Sequence, residues 1–363
     1  MTIGETLGQR ALRVLHEACS EFDFGRAESV VSELLQLSAS SWFDRPTNER
    51  FPAFLLEGGP FQLCFHLPPH DVRQFRFTVE PIGEEPTLFS YWNSATSTLE
   101  RICKRMNWSF DTMGKLYELT RPAQNFLLER KPRPQLGDGS PSHGRWASWI
   151  GGAVSPQGDV TVKTYICLRH AQERSANIDE ILAAAGVGPK LQEALPTDIK
   201  KRIAMMTVDL CSEGVKRVKV YLKLSPTGPN TADELDRIGA LTPQYRAGDA
   251  RRFLELYAPE GLEALPNSPF LTCTLHAVDN RWDRLTTNAI HYSKALQPPE
   301  AVLVSRARAA IREYGAQEEA YDRFARVVGY SNIRVMSLQR QAGVPMLTLY
   351  ANIPLFDENA KAE

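Results

Sequence analysis

The sequence predicts an α+β fold: a ten-stranded antiparallel β-barrel inside an outer ring of helices, built from five ααββ repeats. Three observations predict it. Pairs of stretches with helical hydrophobic spacing alternate five times with pairs of stretches of period two. The paired strands are separated by short turn clusters, which join antiparallel neighbours, whereas parallel pairing needs a long crossover. Ten such strands in one sheet leave fewest exposed edges when the sheet closes on itself.

The elements run in order. Leu7–Ala18 and Glu28–Leu37 read as helices, followed by strands over 61–67 and 74–80 with Pro68-Pro-His-Asp as their turn. Leu88–Met106 and Asp111–Glu129 come next as helices, then strands Ala147–Val154 and Asp159–Leu168 about Ser155-Pro-Gln-Gly. Ile178–Ala185 and Gly188–Ile203 lead into Met205–Cys211 and Lys216–Leu224, joined by Ser212-Glu-Gly. Ala232–Ile238 and Ala250–Tyr257 precede strands Phe270–Ala277 and Leu285–Ser293. Pro299–Tyr314 and Glu318–Val328 precede the last pair, Asn332–Gln339 and Met346–Pro354. No linker rich in Gly, Ser or Pro breaks the series, and Arg130–His143 reads as a surface loop, so residues 1–363 are expected to form a single domain.

The 363 residues carry a net charge of −1, with 43% apolar and 23% charged residues, an ordinary globular balance that argues against disorder. Near-neutral charge argues against nucleic acid as partner, which demands a basic footprint. No apolar run approaches the ~18 residues of a membrane helix, and Met1–Glu21 lacks the layout of a secretion signal. Six cysteines without a C-x-x-C pair read as the reduced thiols of a cytoplasmic protein. Oligomeric state is not legible.

The strands carry an unusual face. Val162, Thr164, Ile166 and Leu168 oppose Thr161, Lys163, Tyr165 and Cys167, while Val218, Val220, Leu222 and Leu224 oppose Arg217, Lys219, Tyr221 and Lys223. Phe75, Phe77 and Val79 oppose Gln74, Arg76, Thr78 and Glu80, and Leu347, Leu349 and Ala351 oppose Met346, Thr348, Tyr350 and Asn352. With apolar faces under the helices, the barrel interior is left to cations, tyrosines and amides, and ten strands leave a cavity there. A solvated open sheet accepts acids as readily as lysines, yet these faces favour cations. Arg76, Lys163, Arg217 and Lys219 in one lumen call for an anion of several charges, for which phosphate oxygens suit Arg forks and Lys point charges. Tyr165, Tyr221, Tyr292 and Tyr350, each on a different hairpin, add ring faces that attract a cation. Cations beside such rings suit ionising an organic diphosphate and shielding the carbocation from water.

Phe75-Arg-Phe-Thr-Val-Glu-Pro-Ile, Lys163-Thr-Tyr, Arg217-Val-Lys-Val-Tyr and Leu347-Thr-Leu-Tyr, within ααββ units covering nearly the whole chain, resemble the ABBA-type aromatic prenyltransferases, specifically their dimethylallyltryptophan synthase-like indole branch. The resemblance implies the prenyltransferase barrel and metal-independent transfer of a dimethylallyl or longer prenyl group to an aromatic ring carbon. It requires no cofactor, the prenyl diphosphate serving as co-substrate and the partners being small molecules only. It implies diphosphate contacts for Arg76, Lys163, Arg217 and Lys219, and a cation shield of Tyr165, Tyr221 and Tyr350, with Tyr292 on a loosely matching strand where Ile290 replaces a polar contact. The indole branch places a glutamate where Gln62 stands, so Gln62 is expected to orient the acceptor N–H without a full charge. Trp149-Ile-Gly-Gly-Ala-Val lacks the lysine often found there for the final proton, leaving water or Glu80 to take it, although Glu80 is also expected to pair with Arg76. These departures leave free tryptophan and an elaborated indole compound both open as acceptor. Trp149 is expected beside the lumen, while Trp92, Trp146 and Trp282 read as core or rim. Phenol or phenazine acceptors on the same fold, and a non-catalytic carrier of an anionic amphiphile, remain the alternatives.

Rival motifs fit less well. No D-D-x-x-D occurs, Asp279-Asn-Arg-Trp-Asp reads as a loop, and Arg101 stands where an Asn93/Ser97 magnesium triplet needs an acid. Asp233-Glu-Leu-Asp reads as a helix start and Gly186-Val-Gly-Pro as a helix stop between helices, not a nucleotide loop. His66 and His70, about a Pro-Pro turn, read as surface groups rather than metal ligands.

Overall fold

A computed structural model describes residues 5–51, 53, 59–67, 74–122, 147–168, 177–223, 231–257, 270–290, 299–357 and 361–362. Tyr292, His70, Trp146, the turn at 68–71 and the loop at 130–143 lie outside the described residues. Ten strands close into a barrel: β1 (Phe61–Leu67), β2 (Phe75–Val79), β3 (Ser148–Val154), β4 (Val160–Cys167), β5 (Ile203–Cys211), β6 (Gly214–Lys223), β7 (Phe270–Val278), β8 (Arg281–Ile290), β9 (Ile333–Gln341) and β10 (Val344–Asn352). They follow one another in chain order, each antiparallel to the next. β10 returns to pair with β1, setting Leu347 opposite Leu67 and Asn352 opposite Gln62. Closure satisfies every edge, as the five-repeat pattern requires.

Two-residue turns set the register of two of the hairpins. Asp279-Asn280 between β7 and β8 has φ of 49° and 56°, and Ala342-Gly343 between β9 and β10 has 51° and 77°. Positive φ at both central positions makes the turn whose twist matches that of the strands. The stretch expected as a loop from Asp279 to Asp283 is therefore a loop at two residues only. Arg281, Trp282 and Asp283 belong to β8, which starts four residues before the expected Leu285.

Eleven helices among the described residues surround the barrel: α1 (Leu7–Glu21), α2 (Glu28–Ser38), α3 (Leu88–Met106), α4 (Asp111–Leu119), α5 (Ile178–Ala184), α6 (Pro189–Glu193), α7 (Thr197–Lys200), α8 (Thr231–Gly239), α9 (Asp249–Tyr257), α10 (Glu300–Glu313) and α11 (Glu318–Val328). Thr6 and Gln9 close a reciprocal cap on α1, with Gln9 N donating to Thr6 Oγ1 at 3.2 Å and Thr6 N to Gln9 Oε1 at 2.9 Å. The single helix expected over Gly188–Ile203 is two short ones, because Pro196 has no N–H to continue the ladder and its ring clashes with the turn before it. The helix expected over Asp111–Glu129 ends at Leu119, since Pro122 disfavours helical backbone at Arg121. Gly186, at φ +88°, ends α5 as a helix stop, and Asp233 and Glu234 lie in the first turn of α8, as read from sequence.

The main core lies between the barrel's outer face and these helices. Val162, Ile166, Val208, Val220 and Leu222 are fully buried there. Phe65 stacks on Phe324 of α11 at 5.2 Å and Phe75 meets Phe24 edge-on at 6.1 Å. Each large apolar side chain so buried contributes roughly 1.5–3 kcal/mol. Where the outer face is polar it is matched: the Tyr117 hydroxyl of α4 lies 2.7 Å from Ser148 Oγ and 2.6 Å from Thr164 Oγ1. Trp92 and Trp282 are core residues, the latter donating Nε1–H to the Leu191 carbonyl at 3.0 Å. No helix among the described residues is long and apolar enough to cross a membrane.

Candidate active site

Because the outer face takes the apolar residues, the opposite parity of each strand points into the lumen. Arg76 on β2, Lys163 on β4 and Arg217 and Lys219 on β6 converge there. The register brings Lys163 opposite Asp209 of β5, Asp209 opposite Arg217, and Arg76 opposite Cys64 of β1. Arg76, Lys163 and Arg217 line a cavity of about 480 Å³ together with His66, Asp209 and Arg284. Lys163 and Lys219 are buried. Burial, and then the neighbouring cations, push the Lys163 ammonium well below its ordinary pKa and that of Lys219 down to about 7. The Arg76 guanidinium is lowered by burial and by Arg217. Such mutual depression is the mark of a site short of negative charge.

The tyrosines form a layer beside the cations. Tyr165 and Tyr221 stand two residues along their strands from Lys163 and Lys219, with ring centroids 6.5 Å apart. Trp149 of β3 stands opposite Tyr165, with ring centroids 6.2 Å apart. Gly151 leaves room for this: a Cβ there would meet the Phe77 carbonyl oxygen at 2.8 Å and the Tyr165 ring at 3.4 Å. Tyr350 is opposite Cys64, and its phenol is pushed up to about 12 by burial and then by Cys64. Tyr165 and Tyr221 are raised as well, burial leading in both, so all three rings stay neutral at physiological pH. At the level of Tyr221, β7 and β8 present Thr274 and Thr286. Gln62 is buried on β1 between Thr78 and Asn352, one lumen position beyond Cys64.

Three readings need correction. His66 is no surface group: it is buried in the lumen with Nδ1 2.7 Å from Thr348 Oγ1, because its even-numbered position shares the inward face with Cys64 and Gln62. Arg76 does not pair with Glu80. Its Nε and Nη2 donate to Gln74 Oε1 at 3.1 and 2.6 Å, since Gln74 is the same-face neighbour on the other side. The lumen is also not purely cationic. Asp209 is buried, its Oδ2 accepting from Arg217 Nε at 2.9 Å and from Nη2, its Oδ1 3.4 Å from Lys219 Nζ. Burial alone would raise its carboxyl, but Arg217, Lys219 and Lys163 outweigh that and hold it well below the carboxylate range.

Sequence reasoning missed Asp209 and Arg284. Counting back from the Ser212-Glu turn puts Asp209 on the inward parity of Thr207, a signal whose meaning waits on its cross-strand partners. Arg284 was lost with the late start given to β8. It is buried, and Nε donates to Asp283 Oδ2 at 2.7 Å. His276 lies between them, Nε2 2.8 Å from Thr286 Oγ1, which donates to Gln339 Oε1 at 2.9 Å. Among the described residues no group of three or more His, Cys, Asp or Glu is placed to hold a metal ion.

No family model and no curated protein matches the sequence. Solved structures do match its shape. Prenyltransferase PriB in its apo form aligns over 99% of both chains with a TM-score of 0.76 at 19% identity. The 5-dimethylallyl tryptophan synthase from Streptomyces coelicolor, in complex with DMASPP and Trp, aligns over 97% of this chain and 96% of its own, with a TM-score of 0.77 at 19% identity. The 6-dimethylallyltryptophan synthase from Micromonospora olivasterospora, also with DMASPP and Trp, covers 99% and 100% at TM-score 0.76 and 15% identity. The chain has the prenyltransferase-barrel fold. End-to-end coverage on both sides means that all five repeats take part, as the sequence reading expected.

Proposed function

We propose that this chain is an aromatic prenyltransferase that moves a dimethylallyl or longer prenyl group from its diphosphate to an indole ring carbon of tryptophan or a tryptophan-derived compound. The observation that carries this reading is the convergence of Arg76, Lys163, Arg217 and Lys219 beside Tyr165, Tyr221 and Tyr350 in one closed lumen. The barrel shared with dimethylallyltryptophan synthases supports it.

The cations bind the diphosphate and stabilise the charge that grows on it as the C–O bond breaks, the largest contribution expected to the rate. The allyl cation left behind lies against neutral ring faces, each worth about 0.5–2 kcal/mol. An indole carbon held within reach attacks it, forming the C–C bond, and the ring proton then passes to water, which restores aromaticity. Gln62 orients the acceptor by accepting its N–H, and Trp149 forms part of the wall beside it. The four cations supply the charge neutralisation that magnesium gives other diphosphate enzymes, so turnover is expected to proceed without added metal. Both substrates react in a ternary complex with no covalent enzyme intermediate.

Incubation with dimethylallyl diphosphate and a panel of tryptophan, a cyclic tryptophan dipeptide and a naphthalenediol tests the reading. The expected result is acceptor-dependent pyrophosphate release with an indole, unchanged by EDTA and lowered about 10²-fold or more in Lys219→Ala. Abolition by EDTA, full turnover in Lys219→Ala, or binding without turnover would each overturn it, the last in favour of a carrier.

A further inference from the structure

A carboxylate in a cavity built for anions repels its own ligand, so the position of Asp209 needs a reason. Its immediate neighbours are cations: Arg217 and Lys219 across the β5–β6 ladder and Lys163 across β4–β5. Arginine keeps its charge in any protein environment, whereas a lysine deprived of water and crowded by cations gives up its proton. Lys219 is the member of this arrangement that can lose its charge, buried with Arg217 on its own strand and His276 beside it on β7. Arg76, Lys163, Cys64 and His66 also act on it from β2, β4 and β1. The Cys64 thiol is pushed up to about 11 and the His66 and His276 rings are pushed well down, burial leading in each, so all three are neutral. Arg284 has Asp283 as its own partner. Among these groups Asp209 alone brings negative charge to Lys219, from 3.4 Å.

We infer that Asp209 is a positioning residue that readies the empty site, fixing the Arg217 fork and favouring the ammonium form of Lys219 until a diphosphate takes over as counter-charge. The second half of this statement rests on the diphosphate reading above. Two bonds from Arg217 to one carboxylate oxygen hold the guanidinium plane in place, so its remaining N–H groups are already aimed when the ligand enters.

The test follows Lys219 directly in protein labelled with ¹³C at lysine Cε, its resonance identified by its loss in Lys219→Arg. The wild-type midpoint is expected near 7. Asp209→Asn should lower it by about one pH unit or more, the effect of removing an opposite charge within reach. Arg217→Gln, which keeps the carboxylate and removes a like charge, should raise it, and adding Asp209→Asn to that variant should lower it again, which decides the question if Asp209→Asn alone does not fold. A merely structural Asp209 would lower the melting temperature and leave the Lys219 midpoint where it was, and that result overturns the inference. Added inorganic pyrophosphate should raise the wild-type midpoint. If it moves no lysine resonance, the diphosphate reading fails, while a lowered midpoint in Asp209→Asn still establishes the carboxylate as counter-charge of the free protein.

Discussion

Gln62 is buried on β1 with Thr78 on one side and Asn352 on the other, a neutral amide in a lumen dominated by positive charge. Its oxygen can accept an indole N–H, but it gives little to an acceptor ring that becomes cationic during attack. A hydrogen bond to a charged partner contributes roughly 1.5–3 kcal/mol, against about 1 for a neutral pair. Gln62→Glu should therefore raise kcat/KM for an indole acceptor by about fivefold, from a gain of ~1 kcal/mol. The same substitution should give nothing with an N-methylated indole, which has no N–H to donate. Equal gains on both acceptors would remove Gln62 from the acceptor site. Arg76 illustrates the complementary choice. Its bonds to Gln74 are to a neutral acceptor, so they orient the fork without spending its charge.

At the scale of elements, a single parity rule made most of the barrel legible. Val218, Val220 and Leu222 against Arg217, Lys219 and Tyr221 define one inward and one outward face, and the same alternation recurs on β2, β4 and β10. It failed where the local pattern is broken. Trp282 and Asp283 follow a ladder irregularity between His276 and Ala277, so β8 does not alternate cleanly at its start and Arg284 went unseen. Pro196 split a helix whose hydrophobic spacing looked continuous. Asp209 was missed for another reason, since a lone acid on an apolar strand has meaning only once its cross-strand partners are known. The close contact of β3 with α2 was equally hidden. Gly152 points outward, and a Cβ there would stand 2.6 Å from both Leu34 Cδ2 and Phe77 Cε1, two buried side chains. Gly152→Ala should lower stability by about 1–3 kcal/mol, because both neighbours must leave their rotamers. Urea denaturation should show a lower midpoint at unchanged slope, with part of the loss recovered by adding Leu34→Val. An unchanged midpoint would mean that β3 is not held against α2 as described.

For the whole molecule, an unliganded barrel of buried bases should be most stable on the alkaline side of neutrality. Lys219 has a folded pKa of about 7, driven down by burial and then by Arg217, against an ordinary 10.5. Between these values the unfolded chain binds the proton and the folded chain does not, so stability rises with pH across that window. Below 7 the folded protein must charge Lys219 in place, and the penalty is complete. Lys163, pushed down by burial and by Arg76, acts in the same direction, and so does His66 below its ordinary 6.5. The opposite pressure begins near 9, where the unfolded chain ionises its thiols while burial holds Cys64 and Cys103 neutral to about 11. Thermal unfolding of the free protein should thus show a melting temperature that climbs from pH 7 to about 9 and then falls. Lys219→Met should flatten the climb. Pyrophosphate should flatten it too, by keeping Lys219 protonated, and at a hundred times its Kd should add about 2.7 kcal/mol at every pH where that ratio holds. A free protein whose stability peaks at or below pH 7 would show that the lumen carries its positive charge without strain. The fold would then be an ordinary barrel with a wet interior, in which neither Asp209 nor an incoming diphosphate has unbalanced charge to relieve.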